Sequence, residues 1–100
     1  MKGSHKVSIL QGTEKQCYKT GDTHNLHKHH IYYGTGLRAI SDKHGFWVWL
    51  RADYHNQADY GVHGKDGHIL SLTLKQACQK KFEETHTREE FRAIIGKSYL

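Results

Sequence analysis

The hydrophobic positions of this chain fall into short clusters separated by polar, glycine-marked stretches. Lys6–Leu10 (K-V-S-I-L) predicts a short strand, and polar Gln11–Asn25, marked by Gly12 and Gly21, predicts turns around an isolated Cys17. Leu26–Tyr33 (L-H-K-H-H-I-Y-Y) mixes β-branched, aromatic and histidine residues and stops at Gly34-Thr35-Gly36, which predicts a strand and then a turn. Leu37–Lys43 predicts a short helix ending at His44-Gly45, with Gly45 as its left-handed stop. Phe46–Leu50 is apolar at successive positions, the pattern of a strand buried on both faces.

Ala52–Asn56 predicts the start of a helix, with Asp53 placed to complement its N-terminal dipole. Tyr60–Gly67 contains three glycines and predicts a loop. In His68–Glu84 the apolar residues Leu70, Leu74, Ala77, Cys78 and Phe82 form one helical stripe. Thr87-Arg88-Glu89-Glu90 has the spacing of a capping box, Phe91, Ile94 and Ile95 share a face, and Gly96 closes that helix. The elements add up to a small α+β domain over residues 1–100, with two helices at its C-terminal end, about 68–95.

Composition narrows the class. Of 100 residues 36% are hydrophobic and 25% charged, and eleven aromatics supply large burial per residue. The longest apolar run is Phe46–Leu50, whereas a membrane span needs about twenty residues, so no membrane partner is expected. Met1-Lys2-Gly3-Ser4-His5 has no apolar stretch behind it, so the expected location is a reducing cytoplasm. There Cys17 and Cys78 read as packed thiols, although a disulfide is the alternative. Fifteen Lys and Arg against ten Asp and Glu give a net charge of +5. The excess lies in residues 1–81, which favours a polyanionic partner.

The histidines carry the chemistry. Eight of the ten fall between His24 and His68, with no purification-tag run. His29 and His30 are adjacent on the predicted strand, so their side chains point to opposite faces and take different tasks. A strand histidine with His55 on the short helix and His63 on the loop has the makings of one divalent-metal site. The other member of the pair then stays free as a proton acceptor. The competing reading is a set of solvent-facing or hydrogen-bonded histidines. It is the preferred one for His5, His24, His27, His44, His68 and His86.

Four stretches together resemble the HNH nuclease family: Cys17-Tyr18-Lys19-Thr20-Gly21, Asn25-Leu26-His27-Lys28-His29-His30-Ile31, Trp47 to Asn56, and Gly61-Val62-His63-Gly64. The resemblance covers about Cys17 to Gly64. It is similar in particular to a branch of small bacteriophage HNH-type proteins, through Arg38 to Gly45, a Phe-Glu-Glu helix and the ending Gly96 to Tyr99. It implies a ββα-metal core over about residues 17–64 and a metal-dependent DNA endonuclease or nickase. His29, His55 and His63 would hold one divalent ion (Mg, Mn, Zn or Ni), and His30 would activate a water for attack on phosphorus.

Arg38 is a candidate phosphate clamp, with a structural bond to Asp42 or a loop carbonyl as its alternative. Lys28, Lys43, Arg51 and Lys65 are candidates for contacting backbone phosphates of DNA. Two departures from the family pattern stand out. The middle Asn that braces the general base falls at Gly45-Phe46 here, so another group has to orient His30. The positions of the two CxxC pairs read Cys17, Thr20, Arg51 and Tyr54, so no structural zinc is expected. The alternative function is a catalytically silent module of the same fold, engaging DNA or a phage or host protein.

Overall fold

The histidine-rich strand β1 (Leu26–His30), which ends before Ile31-Tyr32-Tyr33, pairs antiparallel with the largely apolar β2 (Trp47–Arg51). The register sets His29 opposite Val48 and His30 opposite Trp47. These elements come from a computed structural model, which describes residues 7–100. Between the strands lies helix α1 (Leu37–His44), which stops because Gly45 adopts φ 76° and turns its amide back to the carbonyls of Ser41 and Asp42. Hydrogen bonds Phe46 N–H to Ser41 and Ile31 N–H to Phe46 carry the chain from that stop into the sheet.

The core is built around the residue that leads into β2. Phe46 is fully buried, and its ring lies 5.5 Å from Tyr32, 5.6 Å from Phe82 and 6.2 Å from Phe91. Edge-to-face packing of this kind adds to the area term for large rings. Helix α2 (His68–Phe82) supplies Leu74, Cys78 and Phe82, and helix α3 (Arg88–Ile95) supplies Phe91 and Ile95. The capping box forms as expected: Glu90 N–H donates to the Thr87 hydroxyl at 3.0 Å, and Thr87 N–H donates to the Glu90 carboxylate at 2.8 Å. Buried Gln79 bonds Glu83, Ser98 and the Tyr99 amide, which fastens the C-terminal residues to α2. Tyr32, also buried, donates its hydroxyl to the Lys75 carbonyl at 2.6 Å. The result is a small α+β fold with a radius of gyration of 13.2 Å. No helix among the described residues is long and apolar enough to cross a membrane.

One local expectation is corrected and another refined. Within Lys6–Leu10, Lys6 lies outside the described residues, and the rest forms a turn with one bridge, Ser8 to Gly12. The Ser8 hydroxyl accepts from the amides of Leu10 and Gln11, a local bond that competes with a strand ladder. The segment after β2 is helical as expected, in the form of a π-helix, Asp53–Gln57, with Asp53 in its first turn. The Asp53 carboxylate is held by Arg51 and by the Tyr60 hydroxyl.

Both cysteines are buried and free. Burial pushes the Cys78 thiol up to about 12. At Cys17 burial acts in the same direction, but bonds from Thr20 and from the Arg51, Thr20 and Lys19 amides outweigh it and leave the thiol below its ordinary value.

Phe46→Ala removes the ring on which three others pack and is expected to cost about 3–5 kcal/mol, read from urea unfolding. Trp49→Ala, at a partly exposed position of β2, is expected to cost less. Thr87→Ala is expected to cost about 1 kcal/mol through loss of the cap.

Candidate metal centre

Alternation along β1 sends His29 inward, where it is 1% exposed, and leaves His30 partly open. Two segments deliver imidazoles to the buried ring. The π-helix carries His55, and the loop after it carries His63. That loop is fixed to the π-helix by its own backbone, with Val62 N–H on the Tyr54 carbonyl at 2.9 Å and His63 N–H on the His55 carbonyl at 3.0 Å. Its glycines are needed for close approach. A Cβ on Gly61 would sit 2.5 Å from the Asp53 carbonyl oxygen, and one on Gly67 would collide with the Gly61 carbonyl.

The three rings close a triangle. Centroids are 5.3 Å apart for His29–His55, 5.3 Å for His29–His63 and 4.9 Å for His55–His63. One nitrogen from each lies within 4.8 Å of the others, a group able to hold a metal ion. Both ring nitrogens of His29 are buried without a hydrogen-bond partner. A neutral imidazole always carries one donor and one acceptor, and leaving both unused in the interior costs free energy. A metal ion on one of them relieves part of that cost, so the site fits the group implied by the resemblance.

Electrostatics keep the rings neutral. Burial is the main cause that lowers His29 to about 3, with further contributions from His55, His63, His30 and Lys75. His55 is lowered to about 4 by burial and then by His63, His27, Arg38 and His30. His63 is lowered by burial, Arg38 and Lys75. Unprotonated nitrogens are what a divalent ion requires.

His27, expected to be a solvent-facing or hydrogen-bonded histidine, is hydrogen-bonded, and its partner belongs to this group. Its Nδ1 lies 3.0 Å from Nδ1 of His55, which leaves Nε2 of His55 for a ligand. Nothing in the local sequence marks it beyond its place two residues before His29, on the same strand face.

His30 is braced by a carboxylate. Its Nε2 lies 3.1 Å from Asp42 on α1, and Lys28 approaches the same oxygen at 2.6 Å. Burial alone would raise the Asp42 carboxyl, but Lys28 and His30 outweigh it and hold it below its ordinary value. A cavity of about 340 Å³ is lined by His30, Arg38, His55 and His63, with Lys28, Tyr33 and Gly34 completing it. His29 stands behind this wall. Arg38 has no carboxylate partner among the described residues, and its sequence alternative, Asp42, is taken by Lys28 and His30.

The other cations are placed differently. Lys28 is held by Asp42 and lies 4.5 Å over the Trp47 ring. Arg51 is clamped between Asp22 and Asp53, and Lys65 stands 3.7 Å from Asp59. Exposed Lys43 has no carboxylate partner among the described residues and does not line the cavity.

Acid is expected to destabilise the metal-free fold. The unfolded chain protonates a histidine near 6.5, whereas folded His29 resists until about 3. Between these values the unfolded state binds more protons. Stability is therefore full above pH 6.5 and falls on acidification, by up to about 1.4 kcal/mol per pH unit for His29 alone. Urea midpoints measured with a chelator across this range check the sign, and His29→Leu should flatten the acid limb. Zinc added at about a hundred times its dissociation constant should stabilise the wild type by about 2.7 kcal/mol, and His29→Ala or His55→Ala should lose that gain.

No protein-family model, curated protein or solved structure matches this chain, so its function rests on the chemistry of this site.

Proposed function

We propose that the protein is a metal-dependent DNA endonuclease or nickase of HNH type, built on a ββα-metal core in which β1, β2 and the π-helix carry the site. The observation that carries this reading is the shared cavity: His30, bonded to Asp42, borders it together with His55 and His63, the open members of the histidine triangle. His29, His55 and His63 would hold the ion, and three imidazoles with no carboxylate suit zinc or nickel better than magnesium. When bound, the ion supplies Lewis-acid stabilisation of charge on the phosphate and on the leaving 3′ oxygen.

The chain's own groups do the rest. With Nε2–H of His30 donating to the Asp42 carboxylate, Nδ1 is the acceptor that takes a proton from the attacking water. Asp42 fixes the ring orientation and tautomer, the task of the family's middle Asn. Arg38 grips the non-bridging phosphate oxygens with its two-pronged donor face. Water oxygen bonds to phosphorus and the bond to the 3′ oxygen breaks; that oxygen takes a proton from a solvent water, leaving a 5′-phosphate and a 3′-hydroxyl, and His30 returns its proton to solvent. The excess of basic residues draws in the polyanion without sequence readout.

Nicking of supercoiled plasmid in the presence of zinc, nickel, manganese or magnesium tests the proposal. His30→Ala should lower the rate about 10²–10⁴-fold while the zinc-induced rise in stability persists, because His30 is not asked to hold the ion. His29→Ala should lose both. Equal nicking by wild type and His30→Ala would reject the mechanism and favour the silent binding module.

A further inference from the structure

The cavity at the histidine triangle is one of two that meet there. The second, about 380 Å³, lies on the α2 side and shares Tyr33 and His63 with the first. Its outer wall comes from α2 and the C-terminal end, through His68, Leu72, Lys75 and Tyr99. The Tyr33 hydroxyl, 3.1 Å from Ser71, bridges β1's exit to α2 at the junction of the lobes. Among the described residues no Asp or Glu side chain lines either lobe.

Lys75 gives the second lobe its charge. Its ammonium sits 4.7 Å over the Tyr33 ring and 5.3 Å from the Tyr99 ring, and no carboxylate pairs with it among the described residues. The aromatic faces fix the position of the cation without neutralising it. Arg38 thus stands in one lobe and Lys75 in the other, with His63 between them. This order places one cation on each side of His63, an arrangement open to a phosphate on each side of the centre, and Tyr99 and Leu72 line the second lobe with apolar surface.

Resting on the nuclease reading above, we propose that the α2-side lobe binds the phosphate adjacent to the scissile one through Lys75, so that the protein engages an internal phosphodiester of a DNA strand rather than a terminal phosphate. This extends the substrate-binding surface onto α2, beyond the Cys17 to Gly64 stretch.

The test is DNA binding by the full chain, free of turnover. A fluorescein-labelled short duplex is titrated by anisotropy in chelator at several salt concentrations. Each phosphate neutralised adds about 0.9 to the slope of log affinity against log salt. Lys75→Gln should weaken binding and lower the slope by about that amount, and Lys75→Arg should retain it. Leu72, 45% exposed in the same lobe, provides a second variant: Leu72→Lys should steepen the slope by a similar amount. Thermal unfolding of each variant establishes that it is folded. Wild-type slopes in both Lys75→Gln and Leu72→Lys would overturn the assignment of this lobe. If the wild type still nicks plasmid under that outcome, the nuclease reading survives alone. If the wild type neither binds the duplex nor nicks plasmid, the nuclease reading falls and this inference with it.

Discussion

Burial of a histidine whose two ring nitrogens find no protein partner is the constraint around which this molecule is arranged. His29 occupies a core-facing position of β1, opposite Val48, where an aliphatic residue would pack at lower cost. Desolvation disfavours its charged form, and a neutral ring still needs a donor and an acceptor satisfied. Two further imidazoles stand beside it, each lowered below its ordinary value, so the three repel protons and present lone pairs. A divalent cation held by one nitrogen of each ring would offset part of these costs. The π-helix and the glycine loop bring His55 and His63 to that ring; π-helical turns are rare and concentrate at functional sites.

Strand alternation separates the two tasks of the tandem pair. His29 turns to the triangle, and His30 turns to Asp42 on α1. The carboxylates near the site are spent on positioning rather than on a ligand: Asp42 holds His30 and Lys28, and Asp53 holds Arg51 and Tyr60. The cavity lining is left cationic, with Arg38 unopposed, which suits a phosphate. Arg51 and Lys28, placed on the DNA-contacting list by charge alone, are internally paired.

Local rules made much of this legible. Gly45 and Gly96 stop their helices in the left-handed region, and Thr87 and Glu90 form the box that their spacing announces. The β1–β2 pair and the burial of Phe46 and Val48 follow from their hydrophobic pattern. The convergence of His29, His55 and His63 was visible through the pairing of motifs along the chain. What stayed hidden depends on long-range contact. His27 meets His55 across 28 positions, and Asp42 meets His30 across 12, with nothing in either local sequence to specify the partner. Lys75 and Tyr33 belong to elements whose docking only the tertiary fold determines. Val7 to Leu10 failed as a strand for a local reason, since a serine hydroxyl offered its backbone a competing bond.

X-ray absorption at the zinc edge of the loaded full-length protein addresses the metal centre most directly. The account predicts tight binding of one ion per chain with three imidazole nitrogens in its inner shell at about 2.0–2.1 Å, and loss of one of them in His55→Ala. Failure to bind zinc, or an inner shell with sulfur or fewer than two imidazoles, would contradict it.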